Sequence, residues 1–144
     1  MYQSLVTHDS VEQVMNDKGL AKIGDTLVNF IYSLSKSLVL GSSTGEKVRD
    51  SILARAIRQT SIYERIGHRT DAGTAGDAYE AIVAYLWLTK RIQIDSIVDM
   101  LVDLLPLDSQ TSRRAEGRIA AEAFESIMDY LIELLPQSLL PSSD

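Results

Sequence analysis

Three carboxylates in this sequence have types and spacing that could do chemistry. Asp25 sits in "LAKIGDTLVNF" (20–30), directly after Gly24 and among residues that make the apolar side of a helix. A carboxylate in such surroundings loses hydration unless something pairs with it. Asp77 and Glu80 open "DAYEAIVAYLWL" (77–88). Three residues apart on a helix, they share one side about a turn apart, and two like charges that close repel. A divalent cation between them removes that penalty, and hard carboxylate oxygens suit Mg²⁺. Each group also has a plainer reading. Asp25 could be a helix N-terminal acid stabilised by free backbone N–H groups. Asp77 could cap its helix, with Glu80 completing a capping box.

A second set of residues could meet phosphate. Basic side chains gather in the middle of the chain: Lys47, Arg49, Arg55, Arg58, Arg65 and Arg69. A helix carrying Arg55 and Arg58, next to a loop with His68 and Arg69, could follow a phosphate backbone; the alternative is a solvated helix face. "SRRAEGR" (112–118) reads as a mixed-charge surface. Other chemistries are excluded. There is no cysteine, hence no thiol nucleophile, disulfide or cysteine-bound zinc. No G-x-S-x-G elbow is present, and "GSSTGEK" (41–47) lacks the spacing and preceding strand of a phosphate loop.

The elements that must position these groups read as helices. Apolar residues recur mainly at helical spacing, and residues 1–105 contain no proline. The pattern predicts an all-α domain over residues 1–136 and a frayed tail over 137–144. A short helix is expected over 10–17, capped by Asp9 or Ser10, with a break at Gly19. Long helices follow over about 20–38 and 46–59, then a turn over 60–67 and a loop over 67–76. Further helices are expected over 77–90, 93–105 and 109–134, the last two separated by Pro106.

The totals bound the rest. With 144 residues, 45% of them hydrophobic, the chain can bury one core. The start "MYQSLVTHDS" lacks the basic-then-apolar pattern of a signal peptide, and no apolar run is long enough for a bilayer. A soluble, cytoplasmic protein with no membrane partner is the expectation. A net charge of −6 argues against a surface coated for nucleic acid, while allowing a local basic patch or an acidic cation site.

Two segments together resemble the nuclease domain of the ribonuclease III family. "LAKIGDTLVNF" is similar to its signature helix, in which an apolar residue and Gly precede a metal-binding Asp. "GDAYEAIVAYLWL" (76–88) is similar to its second motif, an Asp and a Glu three residues apart leading into an apolar helix. The resemblance covers residues 15–90 well and the remainder loosely. It implies an all-α fold, and it implies metal-binding, catalytic roles for Asp25, Asp77 and Glu80. It also implies Mg²⁺-dependent hydrolysis (Mn²⁺ being a possible substitute) of double-stranded or structured RNA by a homodimer. The chain departs from the signature one turn before Asp25, where the usual Glu is Ala21. The compact mini-ribonuclease III group looks similar there and lacks an appended RNA-binding domain, and only helical pattern follows residue 90 in this sequence. A stand-alone domain of mini or archaeal type is therefore expected. Two other readings stay open: a non-catalytic dimer of this family that binds RNA or protein, and an unrelated all-α Mg²⁺-dependent nucleotide hydrolase.

Overall fold

Side-chain caps decide where most of the helices begin. A computed structural model describes residues 1–68 and 70–140. Ser10 accepts the Gln13 N–H and opens α1 (Val11–Met15). Asp17 accepts the Leu20 N–H at 3.0 Å and opens α2 (Lys18–Leu40), its other carboxylate oxygen 2.8 Å from His8 Nε2. Asp71 accepts from Thr74 and opens α4 (Ala72–Leu88); Ser112 accepts from Ala115 and opens α6 (Arg113–Glu133). Between them, α3 (Asp50–Arg58) and α5 (Ile94–Leu104) start without a side-chain cap. Short 3₁₀ turns cover Gln3–Leu5, Tyr63–Ile66 and Gln137–Leu139, the last burying Leu139. Among the described residues there is no strand, so the chain is all-α as its periodicity predicts.

Three boundaries differ from the sequence expectation, each for a local reason. Gly19 is no break: Asn16 ends α1, and Gly19 lies inside α2 behind the Asp17 cap. Residues 46–49 are not helical. Ser33 on α2 bonds both the N–H and the C=O of Glu46, and Asn29 Oδ1 takes the Val48 N–H at 2.7 Å. Two α2 side chains thus satisfy this backbone in extended form, and α3 starts only at Asp50. Helix α4 begins five residues before Asp77, so Asp77 is not a cap and Glu80 closes no capping box.

Helix α4 is the core of the molecule. From Ala75 to Leu86 every residue except Asp77 is buried, as a helix apolar all round must be. Helices α2 and α3 pack along it, α6 covers α3 and α5, and α5 lies against α2. Tyr79 donates its hydroxyl to the Phe124 carbonyl at 2.6 Å, tying α4 to α6 through the centre. A second tie runs from α2 to α6. Glu116 accepts from Tyr32 at 2.7 Å and from Lys36 at 2.9 Å, and Lys36 also pairs with Glu46. Glu116→Ala leaves Tyr32 and Lys36 without this acceptor in a largely buried place. It is expected to cost about 2 kcal/mol, read as a lower urea midpoint with unchanged slope.

Candidate active site

Two glycines, each directly before an aspartate, set the geometry of one cleft. Gly24 lies against the α4 backbone: a Cβ there would stand 1.8 Å from the Glu80 carbonyl oxygen. Gly76 lies against the start of α3, where a Cβ would be 3.2 Å from the Asp50 carbonyl oxygen. At both crossings the missing side chain lets backbones approach. The next residue in each case, Asp25 or Asp77, is carried to the cleft between the helices. The cleft has a volume of about 290 Å³. Asp25, Asp50, Asp77 and Glu80 line it, with Lys18, Lys22, Lys47 and Ala21.

The three sequence-selected carboxylates therefore meet in one place, and a fourth, Asp50, meets them there. Glu80 is 3% exposed. Burial, then the hydrogen bond and charge of Asp25, then the charges of Asp50 and Asp77, push its carboxyl up to about 9. At neutral pH it holds a proton. Asp25 accepts from Asn29 Nδ2 at 3.2 Å. Because Asn29 Oδ1 is occupied by the Val48 N–H, its amide can turn only its NH₂ toward Asp25. Asp77 accepts from Lys18 Nζ at 3.0 Å.

The donor set suits a hard divalent cation. All four acids offer carboxylate oxygens, and the charge that now keeps a proton on Glu80 would equally favour a metal ion in its place. Among the described residues no group of three His, Cys, Asp or Glu side chains is placed to hold a metal ion; Asp77 is engaged by Lys18 and Asp25 by Asn29. Of these two constraints, the Lys18 contact is an exposed ion pair and costs little to break.

The basic residues do not form one patch. Arg58 donates to the Thr70 carbonyl at 3.3 Å, on the connection into α4, and its charge reaches Asp71 together with that of Lys18. His68 lies exposed on the same connection, with Nδ1 3.2 Å from the Ile66 carbonyl. Arg69 falls outside the described residues. Arg55 instead faces a polar groove between α3 and α6 lined by Glu122 and Glu125. That surroundings is a mixed-charge surface rather than a phosphate track. Sequence reasoning missed Asp50, Asn29, Lys18 and Lys22, and it named Lys47 only within the basic band. Asn29 was findable, one turn after Asp25 on the same face; Asp50 had no local signal.

Among the described residues no helix is long and apolar enough to cross a membrane. A comparison with curated proteins finds no match. A family model described as Ribonuclease III matches residues 18–137, a span holding all four cleft carboxylates.

Proposed function

Since the chain belongs to the ribonuclease III family, we propose that it is a divalent-metal-dependent endoribonuclease that cuts double-stranded or structured RNA as a homodimer. The observation that carries this reading is the convergence of Asp25, Asp77 and Glu80 on one cleft with lysines at its edge. Asp25, Asp77 and Glu80 would hold Mg²⁺ or Mn²⁺. Such an ion supplies an activated water and stabilises charge on the leaving oxygen. The protein's own part is to hold its carboxylates in place. Asn29 fixes the orientation of Asp25, and the Gly24 crossing sets Asp25 beside Glu80. Glu80 must release its proton to act as a ligand, and Lys18 must release Asp77. Freed from Asp77, Lys18 can meet a phosphate oxygen at the rim, where Arg58 and His68 extend the contact.

The dimer has a candidate surface. Phe30 (52% exposed), Leu34 (37%) and Leu38 (63%) form a stripe along α2 beside its core face, with Leu34 and Leu38 bordering a groove shared with Asp95, Val98 and Asp99 of α5. A two-fold contact along this helix would bury the stripe against its own copy. Phe30→Asp with Leu38→Asp is expected to give a folded monomer by light scattering where the parent chain is a dimer. A double variant that stays dimeric would place the interface elsewhere.

The reading is tested with a labelled RNA hairpin, incubated with Mg²⁺ or Mn²⁺ and then with EDTA. Metal-dependent cuts in both strands, lost in Asp25→Asn, are expected. Ala21 and the ion pair on Asp77 favour a second reading, a dimer that binds RNA without cutting it. Retained binding with no cleavage in either metal would select it.

A further inference from the structure

The cleft contains one carboxylate more than the two sequence segments supply. Asp50 is the first residue of α3, yet the helix start has no side-chain cap, and the Asp50 side chain makes no hydrogen bond or ion pair among the described residues. Lys47 and Arg49 flank it closely in sequence without pairing with it. Its position is fixed by backbone: Gly76 lies against its main chain and against its Cβ, which holds the first turn of α3 beside Asp77. The deepest group in the cleft, Glu80, points to a ligand independently. It is 97% buried and lines the cleft, and its hydrogen-bond partner among the described residues is Asp25, another acid of the same cleft. Asp25, Asp50 and Asp77 line the same cleft around it, with Lys18, Lys22 and Lys47 there as well. A buried carboxyl surrounded by carboxylates is a costly arrangement that a cation would relieve.

Opposite these groups is the gap at Ala21. It lines the same cleft from α2, one turn before Asp25 and on the same face. An acid there would complete a set of four with Asp25, Asp77 and Glu80. Resting on the metal-site reading above, we infer that Asp50 is the fourth carboxylate ligand of this cleft, standing in from α3 for the acid that α2 lacks at Ala21. The total ligand charge is thereby kept while one ligand moves from the signature helix to the neighbouring one.

Mn²⁺ titration followed by the electron paramagnetic resonance of the free ion tests this without any cleavage assay. Asp50→Asn, Asp25→Asn, Ala21→Glu and Ala21→Glu with Asp50→Asn are compared with the parent chain, each with its melting temperature in EDTA. Asp50→Asn is expected to weaken Mn²⁺ binding by about tenfold or more, with the melting temperature in EDTA unchanged or raised. Adding Ala21→Glu to Asp50→Asn is expected to restore most of the affinity. If Asp50→Asn binds Mn²⁺ as the parent does while Asp25→Asn does not, the inference is wrong and the metal site stands. If neither variant alters Mn²⁺ binding, both fall. If Asp50→Asn loses affinity and melts earlier in EDTA, and Ala21→Glu restores neither, Asp50 serves only the fold and the inference is overturned.

Discussion

Gly24→Ala is expected to be the most damaging single methyl group that can be added to this protein. The new Cβ would stand 1.8 Å from the Glu80 carbonyl oxygen and 2.4 Å from its carbon. Both obstructing atoms belong to the α4 backbone, which cannot rotate aside as a side chain can. Helix α2 must therefore back away from α4 along its most buried contact. Overpacking of this kind costs about 3 kcal/mol or more, a fall of roughly 10 °C in melting temperature for a chain of this size. The same displacement separates Asp25 from Glu80, so RNA cleavage should fall even at temperatures where the variant stays folded. Gly73→Ala is the control. Its Cβ would make ordinary contact, 3.5 Å from Asp71 Oδ1, in the first turn of α4. Stability within about 1 kcal/mol of the parent is expected there. Equal losses in the two variants would contradict the crossing argument.

Glu80→Gln is expected to make the protein more stable and inactive at once. The carboxyl is pushed from its ordinary range up to about 9 in the folded chain, by burial first and then by Asp25, Asp50 and Asp77. The folded state thus binds a proton that the unfolded state has lost. The stability linked to that proton is fully present below about pH 4.5, and it is lost as pH rises toward 9. In EDTA the parent chain should therefore melt progressively earlier from pH 5 to pH 9, each unit costing up to about 1.4 kcal/mol. Glutamine keeps the shape without the charge. The variant should melt later than the parent at pH 8, by a margin that closes near pH 5. Its RNA cleavage should fall at least about 100-fold. Added Mg²⁺ should stabilise the parent more at pH 8 than at pH 6, because metal and proton compete for the same oxygens, and should do little for Glu80→Gln. A parent chain whose stability is flat from pH 5 to pH 9 would refute this description of Glu80.

How much of this was legible in the sequence depended on the range of the interaction. The helical class, the Ser10 cap and the pairing of Asp77 with Glu80 rest on local spacing, whereas Asp25 joined that pair through the resemblance to the ribonuclease III family. The match over residues 18–137 bears out the resemblance to ribonuclease III and leaves no place for an unrelated nucleotide hydrolase. The start of α4 was misjudged because Gly73 and Gly76 look like loop residues. Gly76 is helical because its missing side chain admits the α3 backbone, a contact between residues far apart in sequence. Glu46–Arg49 carry helix-compatible residues, yet Ser33 and Asn29 hold that backbone extended from across the fold. Asp50 lay outside any motif for the same reason: only the packing of α3 on α4 brings it to the cleft. Arg55 resembled a phosphate contact until α6 placed Glu122 and Glu125 on the other side of its groove.

Anomalous diffraction from crystals soaked in Mn²⁺ tests the central claim most directly. The account predicts a peak in the cleft between α2, α3 and α4, within coordination distance of Asp25 and Glu80, with Asp77 released from Lys18. A Mn²⁺ peak elsewhere on the molecule, with the Lys18–Asp77 pair intact and the cleft holding none at saturating metal, would contradict it.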